Sequence, residues 1–261
     1  MTPRSYLFVP ANRPERFDEA LASGADAVIV DLEDTVAPEH KGTAREGLSA
    51  WLAAERPVVV RINAVDTPWH AEDLAVCRQP GVSAVMIAKA ERADELAAMN
   101  LAVPLLPMIE SAAGFDQIRA IAAVPGVQRL AFGAIDFQLD MNMHAGFDEL
   151  LYFRSRIVLV SRLANLVPPV DSPSVAIEDD LEVEFDARGA RRLGFGAKLC
   201  IHPRQIDAVN RSFLPSSVEL AWAYRVMAIA ESSGGAAASM DGKMIDKPVI
   251  QRAQAILAEV R

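Results

Sequence analysis

Residues 28–40 read VIVDLEDTVAPEH. An apolar run leads directly into Asp31, Glu33 and Asp34, with only Leu32 between them. A buried strand that ends in three carboxylates needs a cation, a ligand or water to offset their repulsion. The strand therefore ends at an open rim. Seven further runs have the same character: SYLFV ending near Val9, PVVVRI near Ile62, SAVMIAK near Lys89, VPLLPMIE near Glu110, RLAFGAID near Asp136, VPPVDS near Asp171 and AKLCIH near His202. Their ends fall roughly 20 to 35 residues apart, and amphipathic stretches such as RPERFDEALAS and DDLEVEFDARGARRLG lie between them.

Strand and helix alternating eight times is the pattern of a (β/α)8 TIM barrel. The polar strand ends, Asp31, Glu33, Arg61, Lys89, Glu110, Asp136, Asp171 and His202, would then converge on one face. An open doubly wound sheet is disfavoured, because no GxGxxG follows the first run and no GxxxxGK[ST] occurs anywhere in the chain. The barrel is expected over 1–215. A C-terminal helical extension with a lid segment is expected over 216–261, where GGAAASMDGKMID interrupts two helices. The final helix carries an apolar stripe, Val249, Ile250, Ala253, Ile256 and Leu257, suited to docking.

The chain has 261 residues, a net charge of −9 and 51% hydrophobic residues. That is ample for one large core, and the acidity argues against a nucleic-acid surface. No run is long and apolar enough to span a membrane. The start lacks a signal-peptide pattern. Cys77 and Cys200 are too few for a disulfide framework, so a cytoplasmic location is expected.

Glu110 and Asp136 sit on neighbouring strand ends, and an all-oxygen pair with open positions suits Mg2+. Zinc or iron would favour His or Cys, and the four histidines show no HxH or HxxxH spacing. Gly114 and Gly133 flank these acids and would let backbone approach a ligand.

The ordered pieces RSYLFVPANRPER, VIVDLEDTVAP, VVRIN, IAKAE, PMIESAAG, FGAIDF, ELLYFRSRIVLVSR, GFGAKLCIHPRQI and DGKMIDKPVIQRAQ run over essentially the whole chain. Together they resemble the citrate lyase β-subunit-like proteins of the HpcH/HpaI aldolase superfamily. The resemblance implies a Mg2+-dependent lyase that cleaves or forms a 3-hydroxyacyl-CoA, such as citryl-, malyl- or citramalyl-CoA. The products would be an acyl-CoA and a 2-keto acid: oxaloacetate, glyoxylate or pyruvate.

The resemblance also implies residue roles. Glu110 and Asp136 match the metal ligands, and Glu110 would also border the substrate. Arg61 matches the arginine that grips the keto-acid carboxylate, a task that suits a planar fork. Asp31, Glu33 and Asp34 would form an acidic rim that orients Arg61 or Lys89, with Glu33 nearest the substrate. Asp246 matches an acid/base carboxylate supplied by a neighbouring subunit, which implies a homo-oligomer, a trimer or hexamer. Phe8, Asn12, Arg13, Arg16, His202 and Pro203 match the region that meets CoA. The chain departs from the family pattern at Ala11, at Ser172-Pro173 and at Ala197.

Three other readings stay open. One is a divalent-metal pyruvate aldolase acting on free hydroxy keto acids. Another is a Schiff-base aldolase using Lys89 or Lys198. The third is a non-catalytic accessory subunit that binds a CoA ester.

Overall fold

The protein is described by a computed structural model covering residues 2–232 and 237–259. The start of the Gly-rich tail segment, 234–236, and Val260 lie outside the described residues. Contacts divide the chain into two compact units, Met1–Asn210 and Arg211–Arg261.

The first unit is a closed barrel of eight strands in sequence order. The strands are β1 (Ser5–Pro10), β2 (Ala27–Asp31), β3 (Val58–Ile62), β4 (Val82–Ile87), β5 (Leu105–Ile109), β6 (Ala131–Phe132), β7 (Val170–Asp171) and β8 (Ala197–Cys200). Every neighbouring pair is parallel, and β8 closes on β1 through Ser5–Lys198, Tyr6–Leu199 and Leu7–Cys200. Parallel strands covered by helices are buried on both faces, so their sequences are continuously apolar rather than alternating. β3 and β5 are buried at all five positions.

One cluster takes a residue from every strand: Tyr6, Ile29, Val59, Met86, Met108, Ala131, Val170 and Leu199 are among its members. Only the barrel interior can bring all eight strands to one place. Each fully buried aliphatic side chain there contributes about 1.5–3 kcal/mol. Cys77 and Cys200 are buried free thiols. Burial pushes the Cys200 thiol up to about 12, so it is not a thiolate nucleophile at neutral pH.

Helix ends follow local chemistry. Asp179 caps Asp180–Leu193 by accepting from the Leu181 and Glu182 amides at 3.0 and 3.1 Å. Gly194 ends that helix at φ +108°, a left-handed position that glycine adopts without strain.

Three strands are shorter than the sequence suggests, and the first, β4, stops at Ile87 before Lys89. β6 stops at Phe132, and Asp136 lies in the first turn of the helix Ala134–Asp140 rather than on a strand. Gly133 precedes this helix, and its carbonyl accepts from the Phe137 amide at 3.0 Å. β8 stops at Cys200, which leaves His202 in the following turn.

The second unit has its own small core of Ala223, Val226, Ile245, Ala253 and Ile256. It consists of the helices Ser217–Ser232 and Lys247–Ala258 with a hairpin between them, β9 (Ala238–Met240) and β10 (Lys243–Ile245). The hairpin turns through Asp241 and Gly242, both at positive φ. Val249, Ile250 and Leu257 pack against this core. Among the described residues no helix is long and apolar enough to cross a membrane.

Candidate active site

The register of β2 against β3 makes Asp31 the direct partner of Arg61. Their side chains meet as a two-point fork: Arg61 Nε donates to Asp31 Oδ1 at 2.6 Å and Nη2 to Oδ2 at 2.7 Å. Asp31 is fully buried and also accepts from the Thr35 hydroxyl at 2.7 Å and the Glu33 amide at 2.9 Å. Burial alone would raise its pKa, but the guanidinium and these donors overcome that and hold it below the usual value. The Arg61 guanidinium lies over the Phe8 ring at 4.7 Å. Its Nη1 is 3.1 Å from Glu33 Oε2. With Nε and one Nη2 hydrogen committed to Asp31, the outer Nη1/Nη2 edge is the part available to a carboxylate.

Glu33 pairs with Lys89 through a 2.6 Å contact from Nζ to Oε1. Burial and the Asp34 carboxylate raise the Glu33 pKa against the pull of Arg61 and Lys89. Lys89 sits at φ +46°, an uncommon value for a residue with a side chain. In that geometry its amide donates to Glu110 Oε1 at 2.6 Å while its ammonium reaches Glu33. Burial would lower the Lys89 pKa, but the neighbouring carboxylates raise it overall. A protonated amine does not attack a carbonyl, so Lys89 is poorly suited to Schiff-base chemistry. Lys198 is buried and donates to the Ser172 carbonyl at 2.7 Å, with Asp171 at 3.3 Å.

Glu110 is a strongly perturbed acid. It is 2% exposed, and its Oε2 has no hydrogen-bond partner among the described residues. Burial pushes its pKa up to about 8, helped by the Glu33 and Asp136 carboxylates and opposed by Arg61 and the Lys89 amide. A buried carboxylate oxygen without a donor fits a cation. No group of three or more His, Cys, Asp or Glu able to hold a metal occurs among the described residues. Two carboxylates with the remaining positions left to water and ligand suit Mg2+, which needs few protein donors.

Both glycines make room for neighbouring protein, and Gly133 also lines the cavity at this end of the barrel. A Cβ at Gly133 would lie 2.7 Å from Glu110 Cβ, and one at Gly114 would lie 2.5 Å from the Ala90 carbonyl oxygen. Gly133→Ala should therefore displace Glu110, cost about 1–3 kcal/mol and weaken Mg2+ binding. Calorimetric titration beside a urea melt checks both effects, and unchanged Mg2+ affinity would show that Glu110 does not hold the ion.

A cavity of about 380 Å3 opens at this end of the barrel. Its polar wall holds Asp34, Thr35, Arg61 and Asp136, and its apolar wall includes Phe8, Met108, Ile135, Pro173, Leu199 and Ile201. Asp34 rather than Glu33 faces this space. Asp31, Glu33, Lys89 and Glu110 are not lining residues; Asp31 and Glu33 stand against Arg61, Lys89 against Asp34 and Glu110 against Gly133, which are. Arg13 and Arg16 are exposed on the turn after β1, and Arg13 pairs with Glu15 at 2.6 Å. His202 Nδ1 accepts from the Arg204 amide at 3.2 Å, and Pro203 is exposed. These four do not line the cavity, although Ile201 beside them does. Asp246 belongs to the second unit and caps Lys247–Ala258, accepting from the Val249 amide at 3.3 Å.

Sequence reasoning missed the groups that brace the rim. Lys41 is buried, donates to the Leu32 and Glu33 carbonyls at 2.8 and 2.9 Å, and lies over the Trp69 ring. Asn63 donates to Leu32 and to the buried Asp73. Ser172 Oγ accepts from the Ala134 amide at 3.1 Å, which anchors the helix bearing Asp136. Nothing in the spacing of Lys41, Asn63 or Asp73 distinguishes them from solvent-facing helix and loop polars.

The HpcH/HpaI aldolase/citrate lyase family model matches residues 4–203. The chain belongs to the HpcH/HpaI aldolase/citrate lyase family. A citrate lyase subunit beta-like protein of Deinococcus radiodurans is 34% identical, over 98% of this chain and 96% of its own. Two proteins of Cereibacter sphaeroides have similar reach. A (3S)-malyl-CoA thioesterase is 32% identical over 98% and 94%, and an L-malyl-CoA/beta-methylmalyl-CoA lyase is 31% identical over 98% and 94%. Among solved structures, CitE of Mycobacterium tuberculosis in complex with magnesium, acetoacetate and coenzyme A superposes with a TM-score of 0.90. It is 35% identical and covers 98% of this chain and 97% of its own. In this family member the matched segment holds Arg61, Glu110 and Asp136 but ends before Asp246.

Proposed function

We propose that the protein is a Mg2+-dependent carbon–carbon lyase that cleaves, or in reverse forms, a 3-hydroxyacyl-CoA. The products are an acyl-CoA and a 2-keto acid. The observation that carries this reading is the buried Glu110 Oε2, which lacks a donor and adjoins a cavity that also presents Arg61 and Asp136. Family relatives named for citrate and malyl-CoA chemistry, and a related structure holding magnesium with coenzyme A, support it.

Glu110 and Asp136 would hold the ion, whose contribution is Lewis-acid polarisation of the substrate oxygen. The outer edge of Arg61 takes the substrate carboxylate and fixes the reacting carbon. Asp31 keeps that edge in place, and Phe8 supports its plane. In cleavage a base takes the hydroxyl proton and that oxygen becomes the keto oxygen. The electron pair of the broken C–C bond passes to the thioester α-carbon, which then takes a proton. The apolar wall keeps water from that carbon before it is protonated.

Asp246 supplies or accepts that proton from a neighbouring subunit of a homo-oligomer, a trimer or hexamer. Because asparagine caps a helix as well as aspartate does, Asp246→Asn should leave the melting temperature unchanged while turnover falls on the order of 100-fold or more. Mixing Asp246→Ala with Glu110→Ala protein should restore activity through hetero-oligomers. Two inactive variants that stay inactive when mixed would remove Asp246 from the shared site.

A panel of malyl-, citramalyl- and citryl-CoA, assayed with Mg2+ and with EDTA, tests the whole reading. Keto acid and acyl-CoA should appear together, and only with Mg2+. Free CoA with intact hydroxy acid would mark a thioesterase. Cleavage of free hydroxy keto acids alone would mark a pyruvate aldolase. Mg2+-dependent binding without any product would mark an accessory subunit.

A further inference from the structure

Ser172 also lines the cavity at the barrel mouth. It follows β7 directly and is 2% exposed. Its carbonyl accepts from Lys198 Nζ at 2.7 Å. The residue before it, Asp171, is fully buried and held by Arg154 at 3.0 Å and by Lys198 at 3.3 Å. The Ser172 hydroxyl oxygen accepts from the Ala134 amide at 3.1 Å, which fixes the side-chain torsion. A serine hydroxyl both accepts and donates. Here only the accepting half is used, because among the described residues no group takes the Ser172 proton. Three residues of the described lining carry side-chain donors: Thr35, Arg61 and Ser172. The Thr35 hydroxyl donates to Asp31 at 2.7 Å, and Arg61 gives Nε and one Nη2 hydrogen to the same carboxylate. The Ser172 proton alone is wholly uncommitted. A buried hydroxyl proton without an acceptor is costly, and a ligand oxygen in the cavity would relieve that cost.

We propose that Ser172 is a binding residue that donates its hydroxyl proton to an oxygen of the 2-keto acid held in this cavity. The proposal rests on the lyase reading for the ligand class alone. An ionised carboxylate offers about four lone-pair directions, so the outer edge of Arg61 leaves acceptor capacity for a second donor. Ser172 supplies that donor without adding charge. Accepting from the Ala134 amide polarises the hydroxyl and strengthens its own donation. Lys198 on β8 and the helix Ala134–Asp140 both hold the residue, so the donor is in place before a ligand arrives. The same oxygen anchors the helix that bears Asp136. Ser172 thus has two roles, and they part experimentally.

Calorimetric titration of the full-length protein separates the donor from the anchor. Mg2+ affinity measured alone reads the anchor, and pyruvate affinity at saturating Mg2+ reads the donor. Ser172→Ala should weaken pyruvate binding about tenfold at saturating Mg2+. Ser172→Thr keeps the hydroxyl and should bind pyruvate within about threefold of the unaltered protein. Unchanged pyruvate affinity in Ser172→Ala at saturating Mg2+ overturns the proposal, whatever becomes of Mg2+ affinity, because only the anchor would then remain. Alanine and threonine variants that bind pyruvate equally weakly overturn it too, as does an unaltered protein that binds no pyruvate. The panel of CoA esters is independent of this readout. If Ser172→Ala weakens pyruvate binding but no ester is cleaved, the lyase reading falls and the donor stands.

Discussion

Replacing Arg61 with alanine should destabilise the barrel by about 3–5 kcal/mol and abolish turnover. The stability loss follows from Asp31, which is fully buried and would keep its charge without a counter-ion. Breaking one side of a buried pair costs far more than removing both. The double variant Asp31→Leu/Arg61→Met should therefore recover most of the lost stability, read by urea denaturation, and none of the activity. Arg61→Lys separates the two roles in another way. Lysine keeps the charge but cannot span both Asp31 oxygens and also offer a flat edge to a ligand. Its KM for the ester should rise on the order of 100-fold while the protein remains folded. Normal turnover in either Arg61 variant would remove this residue from the site.

The second large effect belongs to Glu110. With its pKa at about 8 and an ordinary value of 4.5, the metal-free barrel holds this proton more tightly than the unfolded chain does. The stability it contributes is complete below pH 4.5 and is lost as the pH rises through 8. Mg2+ binding must expel the same proton. The ion should therefore bind with release of about one proton at neutral pH, and its affinity should climb about tenfold per pH unit until about pH 8 before levelling off. Titrations in buffers of different ionisation enthalpy count that proton. Glu110→Gln should abolish the proton release and the pH dependence, and lower turnover on the order of 1000-fold. A Mg2+ affinity that is flat between pH 6 and pH 8 would contradict this role.

Much of the site was legible from the sequence because strand ends are chemically conspicuous. Asp31, Arg61 and Glu110 each follow an apolar run directly, so a barrel fold alone places them at one mouth. Two-residue strands are harder to read. RLAFGAID looks like one run, yet its second half is the first turn of a helix, and Asp136 reaches the cavity from that turn. The hairpin in the second unit was missed although its Asp-Gly pair is a turn signal. Its strands are only three residues long and carry little alternation. Lys41 was invisible for another reason, and Ser172 stood out only as a departure from the family pattern, not as a brace. Each acts through a backbone group, Lys41 on two carbonyls and Ser172 on the Ala134 amide, and no spacing rule marks such partners. Arg154 lay inside LYFRSRIVLV, but it is buried and pairs with Asp171 at 3.0 Å.

The most direct measurement is a crystal structure with Mn2+ in place of Mg2+ and pyruvate, read by anomalous scattering. We expect one ion touching Glu110 Oε2 and Asp136, with the pyruvate carboxylate on the Nη1/Nη2 edge of Arg61. An ion bound elsewhere, or a pyruvate whose carboxylate avoids Arg61, would contradict the proposed site.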